Sequence, residues 1–183
     1  MLYKVQMING ALFSYFNSFA GVSSAGDALI VFCADTLGLI ILFGLVIFLF
    51  SHVHKRQGFK NVIVVLVAGF LAWSVAALIK YLFPSPRPFI ALPDARQLVG
   101  FGFEGVDSFP SAHAAFFSAL AVATYFYHKE LGVFLVIAAF LIGVGRIAAG
   151  VHWPIDVLVG YLLGVSAAFC SYYSVRVLLK GRR

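Results

Sequence analysis

The sequence predicts an all-α integral membrane protein: a helical bundle of about five transmembrane helices, preceded by an N-terminal helix lying at the membrane interface. Three observations lead there. Of 183 residues, 62% are hydrophobic and only 11% charged, whereas a soluble domain is about half apolar and a quarter charged. Apolar runs recur at about the 20-residue length that a helix needs to cross a bilayer. Lysines and arginines gather near the ends of those runs, as membrane orientation requires. The net charge of +6 does not point to nucleic acid, because the basic residues are too few and too scattered to track a phosphate backbone.

Residues 5–20 read as a short amphipathic helix rather than a signal peptide or a first pass. Asn9, Ser14, Asn17 and Ser18 interrupt the apolar content, and no cleavage pattern follows. Ile8, Leu12, Phe13, Tyr15, Phe16 and Phe19 gather broadly on one side, which is expected to lie in the interface. The first span covers residues 28–50, with Asp27 as its expected N-cap. A polar turn from His52 to Gly58 leads to a second span over residues 62–83, stopped by Pro84, Pro86 and Pro88. Residues 84–109 form the longest loop; its Glu104 and Asp107 read as solvated acids. The third span covers residues 111–127 and the fourth 131–147. The fifth opens at Trp153-Pro154, with proline suited to a first helical position, and runs to about residue 179. Cys33 and Cys170 lie inside apolar runs as small hydrophobes and make neither a disulfide framework nor a zinc site. No repeat or low-complexity tract divides the chain, so residues 1–183 are expected to form a single domain.

Five crossings place Lys4, Lys80, Arg87, Arg96 and Arg146 on one side. The other side carries Lys55, Arg56, Lys60, Lys129, Arg176, Lys180, Arg182 and Arg183. Lys and Arg accumulate on the cytoplasmic side, so the C-terminus is expected inside and the N-terminus outside. The ends of spans two and four and the starts of three and five then share the outer face. Every polar residue that looks out of place in a membrane falls on that face, and such residues are read as functional.

Lys80 ends the second span, and Arg87 follows in a proline-rich turn that fixes its backbone. A guanidinium matches phosphate oxygens in a rigid fork, whereas an ammonium supplies a point charge; the alternative is that both snorkel to the interface. In Phe109-Pro110-Ser111-Ala112-His113, Ser111 is a natural N-cap, and the amides of residues 112–114 open a helix as an anion site. His152 and Asp156, four apart at a helix start, share one side. Asp156 can then fix the tautomer of His152 and leave its other nitrogen to attack; a purely structural His–Asp hydrogen bond is the bland alternative. Arg146 adds a third cation, or else satisfies the last carbonyls of its helix. Together these groups are what phosphoryl transfer requires: a held nucleophile, a second histidine as proton donor, and positive charge around the phosphorus.

Lys80-x6-Arg87-Pro88, Pro110-Ser111-Ala112-His113 and Arg146-x5-His152-x3-Asp156 resemble, in order and spacing, the three signature motifs of the type 2 phosphatidic acid phosphatase family. The resemblance spans residues 80–156. It implies a phosphohistidine formed on His152, with Asp156 as its orienter and His113 as the acid for the leaving oxygen. Lys80, Arg87, Ser111, Ala112, His113 and Arg146 would surround the phosphate, with no metal and no cofactor. Two positions depart from the pattern: Gly145 stands where the family usually has serine, and Ala112 where it usually has glycine. The short length, the five-span layout and the Asp107-Ser108-Phe109-Pro110-Ser111 run look most like bacterial undecaprenyl-pyrophosphate phosphatases. That would mean cleavage of a polyprenyl diphosphate to the monophosphate on the outer, periplasmic face of the inner membrane, with lipid phosphate and membrane lipids as the only partners. Phosphatidylglycerophosphate, phosphatidic acid and lipid A phosphatases or phosphotransferases use the same motifs.

Asp35 lies about 12 Å into the first span at about 1.5 Å per residue. It is expected to face the bundle and contact either the site or another helix. Two further classes compete. His113, His152 and Asp156 could ligate a divalent metal, but three neighbouring cations would repel it. A lipid carrier or channel would spread its charges along several helices near the midplane, whereas here they gather at one rim.

Overall fold

A computed structural model describes residues 2–51, 56–100 and 107–180 of the chain. Of the turn expected at 52–58, residues 52–55 lie outside the described residues, as do Glu104 and the terminal arginines, while residues 56–58 are helical instead. Among the described residues eight α-helices follow one another: α1 (Leu2–Asn17), α2 (Ser24–Val31), α3 (Leu37–Ser51), α4 (Arg56–Leu82), α5 (Pro88–Ala91), α6 (Ala112–Tyr125), α7 (Lys129–Ala148) and α8 (Pro154–Lys180). A π-helical turn, Phe32–Thr36, joins α2 to α3, so that Ser24–Ser51 is one continuous apolar helix. Four helices among the described residues are long and apolar enough to cross a membrane: Ser24–Ser51, Gly58–Leu82, Lys129–Ala148 and Pro154–Val177. α6 is a fifth apolar helix of 14 residues, roughly 21 Å long by its rise and so shorter than a hydrocarbon core of about 30 Å. The chain is an all-helical membrane bundle.

Small residues decide how that bundle closes. α6 sits at its centre, packed on α4, α7 and α8, and most of it is buried, including Ala112, Ala114, Ala115, Ala119, Ala121 and Ala123. Between apolar helices in lipid, association rests on close packing, which short side chains permit. Opposite α6, a Cβ added to Gly160 would lie 2.6 Å from the Ser111 carbonyl oxygen, and one at Gly164 would lie 2.0 Å from the Ser118 hydroxyl. α8 therefore lies almost backbone-to-backbone on α6, and their N-terminal ends coincide.

Two expected features are corrected. The first span is capped by Ser23, not Asp27: Ser23 is extended (φ −152°, ψ 148°) and its hydroxyl accepts from the Gly26 amide. Asp27 sits in the first turn, where its carboxylate accepts the Gly21 amide at 2.6 Å. The apolar residues of α1 do not form one outward face. Phe13 is only 1% exposed, while Ile8, Leu12, Tyr15 and Phe19 are exposed. The stripe that points into the protein is Asn9, Phe13, Phe16, Asn17 and Ala20, a helical i, i+4, i+7, i+8, i+11 spacing. Polar groups face inward because backbone groups at the ends of α7 and α8 meet them there.

Candidate active site

Four helix ends build the site. α7 ends in the Arg146 turn, and Gly150, with φ +82°, supplies the left-handed residue that turns the chain out of a helix. Val151, His152 and Trp153 then lead into α8, whose first residue is Pro154 and so lacks an N–H that would otherwise go unused. Asp156, in the third helical position, reaches back to accept the Trp153 amide at 2.8 Å. This is the acid half of a capping box. The Ser111 amide donates to the Asp156 carbonyl at 3.0 Å, which ties the start of α6 to the start of α8. His113 and His152 therefore stand at the same end of the bundle, on two helix starts joined by a hydrogen bond.

His152 is fully buried and Asp156 is 1% exposed. The nearest approach of the pair, Nδ1 to Oδ2, is 3.6 Å, longer than an ordinary hydrogen bond. Ser108 stands between them: its hydroxyl donates to Asp156 Oδ2 and lies 3.4 Å from His152 Nδ1. The nitrogen facing away from this arrangement is Nε2. Sequence reasoning did not pick out Ser108 as a site residue, because it precedes the capped helix and keeps no helical spacing with His152 or Asp156.

The cations are buried around this centre. Arg87 is fully buried, Arg146 is 1% and Lys80 8% exposed. Arg87 Nη1 donates to the Val151 carbonyl at 3.0 Å, next to His152 in the chain. The Lys80 ammonium donates to the carbonyls of Asp107 (2.9 Å) and Ser108 (3.0 Å), so it fixes the segment that carries the Ser108 hydroxyl. The backbone carbonyl of Asp107, a half-buried residue, thus forms part of the site's frame. Ser111 is buried and its hydroxyl oxygen accepts the Ala114 amide at 3.4 Å, a capping bond that leaves the hydroxyl its proton to donate. Ala112 opens α6 and is buried with it. Among the described residues, the buried charges are these three cations against the single carboxylate of Asp156. Cations gathered at one place, two of them guanidinium forks, suit an anionic phosphate.

Arg146 meets a carboxylate from the first span. Its Nη1 donates to Asp35 Oδ1 at 2.8 Å, with the Asp35 side chain 43% exposed. Asp35 reaches it from the π-helical turn, and such one-turn widenings are frequent at functional sites. Gly145 packs directly against this turn, so the position where the family usually has serine is occupied by the Cys33–Ala34 backbone.

The sequence pattern of the PAP2 superfamily matches residues 58–179, about two-thirds of the chain. The chain belongs to the PAP2 superfamily. It is 30% identical over 167 residues to the putative undecaprenyl-diphosphatase YbjG of Escherichia coli, covering 88% of this chain and 79% of that protein. It is 28% identical, also over 167 residues, to the bacitracin transport permease protein BcrC of Bacillus licheniformis, covering 91% and 80%. Among solved structures, Aquifex aeolicus LpxE superposes with a TM-score of 0.74 at 31% identity, covering 91% of this chain and 95% of that one. The superfamily and the undecaprenyl-diphosphatases among these relatives make this PAP2 protein a membrane lipid phosphatase.

Proposed function

We propose that this PAP2 phosphatase hydrolyses a polyprenyl diphosphate, of the undecaprenyl class, to the monophosphate and inorganic phosphate at the outer face of a bacterial inner membrane. The observation that carries the reading is the gathering of three buried cations near a buried histidine that has a serine and a carboxylate beside its Nδ1. In this mechanism the terminal phosphoryl group lies between Arg87, Arg146 and the amides that open α6. His152 Nε2 attacks phosphorus while the bond to the bridging oxygen breaks, and His113 protonates that oxygen as the lipid monophosphate leaves. Asp156, steadied by Ser108 and the Trp153 amide, balances the positive charge that grows on the imidazole. His113 then takes a proton from water, which attacks the phosphohistidine and releases inorganic phosphate. The chain's own cations supply the charge stabilisation that this transfer needs.

Two further observations support a lipid substrate and the choice of lipid. A cavity of about 310 Å³ runs from Ala112 and His113 along Leu39, Leu42, Phe70 and Trp73. It joins the leaving-group side of the site to apolar helix faces, as an isoprenoid tail requires. The similarity to YbjG over most of both chains supports a diphosphate. The distribution of Lys and Arg supports an outward-facing site with a cytoplasmic C-terminus. The decisive experiment is phosphate release by the purified protein, with no metal added, from polyprenyl diphosphate, phosphatidylglycerophosphate and phosphatidic acid. Turnover of the diphosphate at least tenfold above the other two is expected. Preference for either glycerolipid would overturn the substrate assignment.

A further inference from the structure

α1 lies across the loop that carries His152, and its inward stripe makes a polar contact at each end. Asn17 Nδ2 donates to the carbonyl of Ala148, the last residue of α7, at 2.9 Å and to the Arg96 carbonyl at 2.8 Å, while its Oδ1 accepts the Arg96 amide at 2.9 Å. Asn9 Oδ1 accepts the Ile155 amide in the first turn of α8 at 3.0 Å. The two asparagines are eight residues apart, about 12 Å along a helix. Between them Phe13 packs on Trp153, ring centres 5.1 Å apart. Helix ends leave amides and carbonyls without intrahelical partners; here a separate helix satisfies one of each, on the two sides of His152.

We propose that Asn9 and Asn17 are positioning residues for the phosphoryl transfer: α1 acts as a strap that sets the separation of the α7 end from the α8 start, and with it the place of His152. The inference rests on the assignment of His152 as the attacking group. The two contacts have opposite polarity. At Asn9 only an acceptor is used, and it faces the positive end of a helix, so a carboxylate serves equally well. At Asn17 the amide donates to two carbonyl oxygens, so a carboxylate there would face them with no proton to give.

The test compares Asn9→Asp, Asn9→Leu, Asn17→Asp and His152→Ala as purified proteins, measuring kcat and KM on the best lipid substrate together with thermal unfolding. Asn9→Asp is expected to keep kcat within about twofold. Asn9→Leu and Asn17→Asp are expected to lose about 10- to 100-fold in kcat at nearly constant KM, the scale of a small misplacement of a reacting group. Rescue by Asp at position 9, with no rescue at 17, is a signature that loss of stability alone would not give. Should Asn17→Asp fail to fold, the Asn9 pair still decides. Wild-type kcat in Asn9→Leu, or equal losses in Asn9→Leu and Asn9→Asp, would overturn the strap. An active His152→Ala would instead overturn the nucleophile assignment beneath it.

Discussion

Gly145 and Ala34 are in backbone contact: a Cβ built on Gly145 would stand 2.7 Å from the Ala34 amide nitrogen. The residue that breaks the family's third motif is thus the residue that lets the first span approach α7. The same approach delivers Asp35 to Arg146. A serine side chain at position 145 would compete for space with the Cys33–Ala34 backbone that brings Asp35 to Arg146.

Restoring the family's usual residue should therefore harm this protein. Gly145→Ser has to push the π-helical turn aside, at about 1–3 kcal/mol for overpacking, and separates Asp35 from Arg146. Thermal unfolding in detergent should show the lowered stability, and kcat/KM should fall with it. Equal or higher activity in Gly145→Ser would refute the competition.

Asp35 neutralises one of the buried cations and orients it. Asp35→Ala is expected to lower kcat/KM about tenfold, on the scale of a lost charge-assisted hydrogen bond, and Asp35→Asn, which keeps an acceptor, by less. Steady-state kinetics check this. If Asp35→Asn and Asp35→Ala both match wild type, the ion pair only joins helices.

Ser108 is expected to matter almost as much as Asp156. Ser108→Ala removes the hydroxyl that donates to Asp156 Oδ2 and lies beside His152 Nδ1, so kcat should drop about tenfold or more with little change in KM. Ser108→Thr keeps the hydroxyl and should recover part of the loss. Activity in Ser108→Ala equal to wild type would leave Asp156 to act on His152 alone.

His152→Ala should abolish phosphate release and the acid-labile phosphoenzyme that a rapid quench with labelled substrate detects. His113→Ala should likewise abolish phosphate release while leaving membrane insertion and fold intact. Turnover retained by either variant would contradict the assigned roles.

Fold class and motif positions were legible because both rest on local pattern. Apolar runs bounded by Pro84, Pro86 and Pro154 mark helices, and the spacing of Arg146, His152 and Asp156 marks a helix end, a loop and a helix start. What stayed hidden depends on contacts between distant segments. Asn9 and Asn17 looked like interruptions of an apolar helix, because nothing local shows that the ends of α7 and α8 would meet them. The i, i+4, i+8 spacing with Phe13 was the available signal. Lys80 read as a phosphate ligand, and its hold on the Asp107 and Ser108 carbonyls follows only once the loop folds back. Asp35 was recognisable as costly, but its partner lies 111 residues away.

The alanine-rich face of α6 and the two glycines opposite it on α8 have a consequence for how such a protein can change. No catalytic group lies among them, yet their methyls and hydrogens gauge the gap between the helix that begins with Ser111 and the one that begins with Pro154. A single larger side chain there would act as a wedge, spreading the two imidazole-bearing ends without touching either ring. The tolerances of the chemistry are thus written in the least reactive residues of the chain, some of them two or three helical turns below the reaction itself.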